Sequence, residues 1–360
     1  MPKLASYKYY TGGQKYDSVE FLGKGQNEWK KLLPMVKTCD LIDFAFKSSE
    51  FRSFLRQNKT PLESLKWKFE QKSMGLRLEF PAFESVFIGY TPSNRSLQKG
   101  DDEPLDTSEI DFKIKNEDLE ILQTRPVRST SPFQVLKTIT DVIMDIFIVK
   151  DTELSWDQPS TGGFLDLFVW DHSRHFKKIH FDSEDSEALK FLLEEVSTEI
   201  LDIKTHNSTV QCSSPFESTI LELHDYSDSF KMEENFLKME CKDVEMTVGR
   251  IASKELNALL KCWINGGLPN LEFLEVSLRV ARGWRDYLFN EEEVFEGIQT
   301  VRSSRPLPPR PSYVLKSPRY IIPSIDYDWE RNTFEIFRKS DNRKATVGMN
   351  PRTFGIAVWP

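Results

Sequence analysis

The chain has 360 residues, of which 39% are hydrophobic and 29% charged, and this length predicts two or three domains. The formal net charge is −8 with no offsetting basic block, which argues against nucleic-acid binding, because that requires Lys and Arg to neutralise phosphates. No apolar run reaches the roughly 18 residues of a transmembrane helix, and the first residues lack the apolar core of a signal peptide. We therefore expect no membrane association and a cytoplasmic or nuclear location.

The cysteine pattern agrees with that expectation. Cys39, Cys212, Cys241 and Cys262 include no C-x-x-C pair, which fits a reduced, intracellular compartment. Each thiol is expected to behave as a small buried hydrophobic group.

The amino-terminal part predicts a flexible tail over residues 1–20 and short helices over 21–58. Four apolar residues recur at helical spacing and predict one buried helix face: Trp29, Leu32, Leu33 and Val36. Pro34 lies inside this stretch and should end or kink the helix. Asp40 is the predicted amino-terminal cap of the next helix.

Residues 62–150 predict a strand-rich segment. Apolar and polar residues alternate over 62–92, as expected of half-buried strands. A polar loop over 93–108 is expected to be disordered. A helix is predicted near 131–149, with Ser131 as its cap and Pro132 at its first position.

Residues 160–360 alternate between strand and helix patterns. Six short strands are predicted, at LDLFVW, KIHFD, EILDIKT, STILELHD, DVEMTV and LEFLEVSL. Amphipathic helices are predicted at SEALKFLLEEV and SKELNALLKCWINGG; Ser253 caps the second, and Gly266 and Gly267 supply its left-handed end.

Strand–helix–strand units with short returns imply right-handed parallel crossovers, and their iteration resembles an irregular leucine-rich-repeat array. The expected fold class is therefore α/β, with a short helical segment, a parallel β/α array, and a terminal antiparallel hairpin turning at KSDNRK.

Catalytic motifs are absent from the sequence. It contains no G-x-S-x-G elbow, no phosphate-binding G-x-x-x-x-G-K-[ST] loop and no H-E-x-x-H pair, so we expect no enzyme, no catalytic residue and no cofactor. His172 and His175 have a spacing that could place two metal ligands on one helix face, but no Cys or carboxylate follows at ligand spacing. We interpret them as solvated loop histidines and expect no metal site.

Two further features leave alternatives open. Residues Arg305–Pro311 have the form R-x-x-P-x-x-P, which suits either a ligand for a domain that binds polyproline II helices or a stiff spacer. Trp263 could be a binding residue, but a core position is the preferred interpretation.

One segment carries a family resemblance. Residues 236–278 contain a Cys-Lys step at Cys241, a K-x-W-x-x-G motif over 261–267 and an L-E-x-L strand from Leu271. These elements resemble the F-box-associated type 2 domain of nematode F-box proteins, and residues 334–360 resemble the last hairpin of that domain. The family motif implies structural roles for six residues: Cys241, Trp263, Gly266, Gly267, Leu271 and Leu274.

The resemblance implies that the helices over 21–58 are an F-box. Its first half departs from the family pattern, because the usual Leu-Pro start falls at Leu22-Gly23 and Pro34 interrupts the first helix, so the F-box is degenerate. The implied function is substrate recognition in an SCF-type ubiquitin ligase, with a Skp-family adaptor contacting these helices. The implied adaptor-binding residues are Leu22, Leu33, Leu41, Ile42, Phe51 and Leu55.

The alternative is a protein-binding module whose F-box no longer engages the ligase and only braces the rest of the chain. Burial discriminates between the two, because residues that face an adaptor should be exposed in the isolated chain, whereas bracing residues should be buried.

Overall fold

A computed structural model of the chain describes residues 18–71, 73–81, 85–90, 110–116, 121–126, 131–157, 163–206, 210–225, 234–235, 238–279, 288–303 and 333–359. The chain divides into two compact units, the first ending at Lys177 and the second starting at Lys178. The predicted start of the last domain, residue 160, therefore lies within the first unit. Among the described residues, no helix combines the length and apolar character needed to cross a bilayer.

The first unit begins with a helical segment. Its helices are α1 (Ser18–Leu22), α2 (Gln26–Leu32), α3 (Thr38–Lys47) and α4 (Ser49–Gln57), with a 3-10 turn at Leu33–Met35. Pro34 lies in that turn, which confirms that α2 ends before it. The prediction that Asp40 caps α3 is wrong, because Lys37 occupies the cap position and Asp40 lies in the first turn.

A mixed sheet follows in the first unit. Its strands are β1 (Thr60–Glu70), β2 (Met74–Glu79), β3 (Ser85–Tyr90), β4 (Ile110–Asn116), β5 (Ile121–Pro126) and β6 (Phe147–Asp157), in the spatial order β6-β1-β2-β3-β5-β4. The pairs β1–β6 and β3–β5 are parallel, whereas β1–β2, β2–β3 and β4–β5 are antiparallel. The alternation over 62–92 thus predicted β1–β3 correctly, whereas β5 was not predicted.

Helix α5 (Pro132–Ile146) packs against this sheet, and Trp67 Nε1 on β1 donates a hydrogen bond to Thr140 Oγ1 at 3.1 Å. The predicted helix extended to residue 149, which is wrong: α5 ends at Ile146 and β6 begins at the next residue, Phe147. Helix and strand are therefore joined without a loop.

The predicted strand at LDLFVW is also wrong. Phe168–Asp171 form a 3-10 helix, and three consecutive side chains, Phe168, Val169 and Trp170, are buried. A strand would send consecutive side chains to opposite faces. The turn is held by Trp170 Nε1, which donates to Phe164 O at 2.8 Å, and the rings of Phe164 and Trp170 pack edge to face.

The second unit continues from β7 (His175–Ser183), which starts just before the unit boundary. Its remaining elements are α6 (Ser186–Glu195), β8 (Ser197–Thr205), β9 (Ser218–Asp225), β10 (Asp243–Val248), α7 (Ser253–Ile264), β11 (Phe273–Leu278), α8 (Glu291–Val294), β12 (Val301–Arg302), β13 (Thr333–Phe337), β14 (Lys344–Met349) and β15 (Thr353–Val358).

The strands of the second unit lie in the order β12-β13-β14-β15-β11-β10-β9-β8-β7. Strands β8, β9, β10 and β11 pair in parallel, which confirms the parallel strands expected in this part of the chain. β15 pairs antiparallel with β11, and β12–β15 pair antiparallel among themselves, so the terminal antiparallel strands are confirmed too. The architecture is mixed α/β; the repeat-array interpretation remains a prediction.

Helix α7 has a different start from the predicted one. Ala252, not Ser253, is the cap, and the Glu255 carboxylate accepts a hydrogen bond from Ala252 N at 2.6 Å. Ser253 Oγ instead accepts from Asn290 N at 2.9 Å, at the start of α8. The predicted left-handed end is confirmed at Gly266, which has a φ of 98°, but not at Gly267. The other residue of this turn in the left-handed region is Leu268, with a φ of 51°.

Candidate functional site

The parallel strands have one apolar and one polar face. On β10, buried Val244, Met246 and Val248 alternate with half-buried Glu245 and Thr247. Since successive side chains of a strand point to opposite faces, the apolar set forms the core of the unit. The opposite face carries side chains that can bind a ligand.

Four carboxylates lie side by side on the polar face. The strand register pairs Asp202 with Glu222, Glu222 with Glu245, and Glu245 with Glu275. We call these four residues the acidic row. Neighbouring strands are only about 4.8 Å apart, so adjacent carboxylates in this row repel one another unless positive charge lies nearby.

A second polar row lies two residues further along the same strands. Lys204 is paired with His224, His224 with Thr247, and Thr247 with Ser277. Lys204 and His224 are half-buried, and they place nitrogen groups next to Asp202 and Glu222. The β8–β9 end of the polar face therefore combines carboxylates with imidazole and ammonium groups.

Asp202 is the most constrained member of the acidic row. It is only 8% exposed, and its Oδ2 lies 2.8 Å from His180 Nδ1 on β7. Burial alone raises the pKa of the Asp202 carboxyl, but the hydrogen bond to His180 and the charges of His180, His224 and Lys204 outweigh it and lower the pKa below its ordinary value. Oδ1 of the same carboxylate is buried without a hydrogen-bond partner among the described residues.

His224 titrates in the same environment. Burial lowers the pKa of its imidazole below the ordinary value, against the opposing charges of Asp202 and Glu245. A neutral imidazole carries a lone pair on one ring nitrogen, which is the form in which histidine coordinates a metal. One ligand atom from each of Asp202, Glu222 and His224 lies within 4.8 Å of the other two.

The sequence analysis did not identify this group. Glu222 and His224 are two residues apart on a predicted strand, so their common face could have been recognised from spacing alone. Asp202 joins them only through the register of β8 against β9, which no local pattern encodes.

The predicted adaptor-binding residues lie in the helical segment, mostly in its interior. Leu41, Ile42, Phe51 and Leu55 are buried, whereas adaptor contacts are expected to be exposed, and Leu22 and Leu33 are half-buried. Phe51 is surrounded by aromatic rings; its centroid lies 5.5 Å from that of Phe21, 5.1 Å from Trp29, 6.2 Å from Phe44 and 6.0 Å from Phe54. The four buried residues thus belong to the core of the segment.

Large apolar side chains are nevertheless exposed in the helical segment. Val19 on α1 is 80% exposed and Met35 in the 3-10 turn is 47% exposed. These side chains are available to a partner, although sequence reasoning did not select them.

Trp263 is a core residue of the family-motif region. Its ring is fully buried, as the core interpretation predicted, and the guanidinium carbon of Arg338 lies 4.8 Å from the ring centroid. Arg338 itself is buried beside β13, and its Nη2 donates to Leu268 O at 3.4 Å. The stack joins α7 to the terminal antiparallel strands.

The other motif residues also have packing roles. Leu271 and Leu274 are fully buried, and Cys241 Sγ lies 3.3 Å from Ser218 Oγ, with burial raising the pKa of the thiol to about 11. Gly267 permits close packing, because a Cβ there would lie 2.3 Å from Cys262 Sγ.

His172 and His175 do not share a helix face. His172 follows the 3-10 helix, with its Nε2 3.2 Å from Asp141 Oδ1, whereas His175 is exposed at the start of β7. Three predicted features lie outside the described residues: the proline-rich motif Arg305–Pro311, the loop 93–108 and nearly all of the tail 1–20.

Comparison with known proteins gives one family match. A family model described as F-box associated matches residues 212–276, a segment that contains β9, β10, α7 and most of β11. No curated protein and no solved structure matches the chain. The match supports an F-box-associated domain in the second unit, built on the strands that carry Glu222, His224 and Glu245.

Proposed function

We propose that this chain is a non-catalytic substrate-recognition subunit of an SCF-type ubiquitin ligase. The observation that carries the proposal is the F-box-associated match over residues 212–276. In this role the second unit binds a protein target, the helical segment binds a Skp-family adaptor, and other subunits transfer ubiquitin.

The polar face of β8–β11 supports the target-binding part of the proposal. It presents half-buried Glu245 and Glu275 together with Thr247 and Ser277, whose side chains can form directional contacts with a partner. Because the apolar face of the sheet is buried in the core, a target contacts this sheet through its polar face and the adjoining loops.

The exposed apolar residues of the helical segment support the adaptor-binding part. Val19 and Met35 are large apolar side chains left in water, and half-buried Leu22 and Leu33 are their neighbours in sequence. An adaptor that covered these side chains would remove apolar surface from water, which is favourable.

The adaptor interaction is tested with the full chain and a purified Skp-family adaptor in a calorimetric titration. We expect the wild-type chain to bind, and Met35→Asp to weaken binding roughly tenfold or more, because a charge would be buried in the interface. Leu165→Asp is the matched control, since Leu165 has comparable exposure but lies outside the helical segment. Absence of wild-type binding at micromolar concentration would remove the ligase role.

A second candidate function is a protein-binding module that does not engage the ligase. The burial of Leu41, Ile42, Phe51 and Leu55 favours it, because these residues already serve the interior of the helical segment. A chain that recovers a defined target from cells but no adaptor, and whose target is lost on combined substitution of Glu245 and Glu275 by Gln, would establish this alternative.

The proline-rich motif offers one more partner, a domain that binds polyproline II helices. Arg305, Pro308 and Pro311 are the residues that such a ligand motif uses. Binding of a Src-homology-3-type domain to the full chain, abolished by Pro308→Ala with Pro311→Ala, would support the ligand role over the spacer role.

A further inference from the structure

The β8–β9 end of the polar face differs from the rest of the acidic row. Asp202 and Glu222 are 8% and 7% exposed, whereas Glu245 and Glu275 are half-buried. Two carboxylates removed from water on adjacent strands destabilise each other unless a cation or a proton compensates them. A partner protein reaches such buried groups poorly, whereas a small ion can reach them.

The donor atoms at this end converge. One ligand atom from each of Asp202, Glu222 and His224 lies within 4.8 Å of the other two. Ligand atoms bound to a zinc ion at about 2.0–2.2 Å lie roughly 3.3 Å apart, so small side-chain rotations would close the group around a cation.

Asp202 supplies a second, independent observation. Its Oδ2 is occupied by His180 Nδ1 at 2.8 Å, while its buried Oδ1 has no hydrogen-bond partner among the described residues. A buried carboxylate oxygen without a partner is costly, and native proteins commonly satisfy such an atom with a water or an ion.

We propose that Asp202, Glu222 and His224 form a binding site for a divalent cation of the Zn²⁺ class. Two carboxylate oxygens and one imidazole nitrogen provide three protein ligands and leave a fourth position open. The nitrogen donor favours Zn²⁺ and similar transition metals over Mg²⁺ and Ca²⁺, which prefer oxygen ligands throughout.

His180 acts as a positioning residue for this site. Its Nδ1 contacts Asp202 Oδ2, which fixes the orientation of the carboxylate and keeps Oδ1 available for the cation. Ligand orientation by an outer hydrogen bond typically contributes about 10- to 100-fold to metal affinity.

Lys204 opposes the cation. It is paired with His224 in the strand register, and its positive charge acts on both Asp202 and His224. We therefore expect Lys204→Gln to raise the metal affinity, whereas substitutions of the ligands lower it, because Lys204→Gln removes a positive charge from the edge of the site.

The metal site does not depend on the proposed ligase role. Metal binding and adaptor binding are measured separately on the same full-length protein, so either can fail without the other. The probe is Zn²⁺ alone, added to protein stripped with a chelator and desalted.

The test is a calorimetric titration with Zn²⁺. We expect one ion per chain with a dissociation constant of about 1 μM or tighter, and an affinity roughly tenfold or more lower for each of Asp202→Asn, Glu222→Gln and His224→Gln. Glu275→Gln is the matched control, because Glu275 belongs to the acidic row but lies outside the ligand group. Its affinity should remain within about twofold of wild type.

Co²⁺ substitution separates this site from the cysteines. A site of oxygen and nitrogen ligands gives the visible bands of bound Co²⁺ without a thiolate charge-transfer band, whereas such a band would assign the metal to cysteines and overturn the proposal. Circular dichroism checks that each variant folds; if Asp202→Asn does not fold, His224→Gln decides, because its half-buried ring is easier to replace. The proposal is also overturned if wild-type protein binds no Zn²⁺, or if all folded variants bind it as wild type does.

Discussion

The helical segment 18–57 and the polar face of strands β8–β11 bury side chains of opposite character. In the helical segment, Phe51 lies among four other aromatic rings, and ion pairs such as Lys31–Glu28 lie at the surface. In the parallel strands, Asp202 and Glu222 are buried on the face opposite the apolar core. An aromatic cluster responds chiefly to changes in packing, whereas buried carboxylates respond to protons and cations.

The two regions therefore offer different surfaces to a partner. The aromatic interior of the helical segment holds Leu41, Ile42, Phe51 and Leu55 in place, so any adaptor contact falls to the residues left outside. The buried carboxylates of the parallel strands are stable only with compensating positive charge, so that region is suited to binding a cation. Three substitutions and a change of pH test this contrast.

The largest effect is expected in the aromatic cluster. Phe51→Ala should lower the free energy of unfolding by about 3–5 kcal/mol, because it leaves a cavity among the surrounding rings. A urea titration followed by tryptophan fluorescence measures it. Val19→Ala is the control, since Val19 is 80% exposed and should change stability by less than about 0.5 kcal/mol. A loss below about 1 kcal/mol for Phe51→Ala would show that the cluster is not a packed core.

Gly267→Ala tests whether the apolar side of the second unit is packed as closely. The new Cβ would lie 2.3 Å from Cys262 Sγ and 3.1 Å from Cys262 O, so we expect a loss of about 1–3 kcal/mol in the free energy of unfolding. Adding Cys262→Ala should recover part of that loss by removing the sulfur, while the contact with the backbone oxygen remains. Thermal or urea unfolding gives both values, and an unchanged stability in the single variant would contradict the close contact.

Arg338→Met tests the buried cation on Trp263. The substitution keeps most of the aliphatic volume but removes the guanidinium stack on the ring and the hydrogen bond to Leu268 O, and about 1–2 kcal/mol should be lost. Exposed Arg352→Met is the control and should be nearly neutral. Equal stabilities for the two variants in urea titrations would indicate that the stack contributes nothing.

The smallest effect concerns pH. The pKa of His224 is lower in the folded chain than in the unfolded chain, where it is about 6.5, so the folded chain binds a proton at His224 less readily. His224 therefore contributes stability above a pH of about 6.5, and this contribution is lost as the pH falls through the folded pKa. The lowered pKa of Asp202 acts with the same sign, but only at more acidic pH. Stability of metal-free protein measured from pH 7.5 to 5 should therefore decline, with a shallower decline in His224→Gln. Phe51→Ala, as the comparison, should leave the slope unchanged.

Sequence patterns predicted some helices and strands of the fold more accurately than others. The parallel strands were predicted because short β-branched runs alternate with two amphipathic helices, each of which is long enough for its period to be recognised. The boundary between α5 and β6 was misplaced because VIMDIFIV is apolar except for Asp145, so neither the helical nor the strand period is visible in it. LDLFVW was assigned to a strand because a short, mostly apolar run does not distinguish a strand from the 3-10 helix observed at Phe168–Asp171.

The candidate site was less predictable than the fold. Glu222 and His224 share a strand face by spacing, but Asp202 lies 20 positions before Glu222, and only the pairing of β8 with β9 brings it alongside. His180 comes from a third strand, β7, and contacts Asp202 through its side chain. Lateral alignment depends on loop lengths and on the whole sheet, so a single sequence cannot specify it.

Helix α5 ends at Ile146 and β6 begins at Phe147, so the number of residues at this junction is fixed. No loop is present to absorb an extra residue, so one inserted amino acid would turn every β6 side chain to the opposite side of the sheet and misalign its pairing with β1. Substitutions at this junction can be accommodated by repacking, but insertions and deletions cannot. Evolution is therefore expected to vary the chemistry of this junction while preserving its residue count.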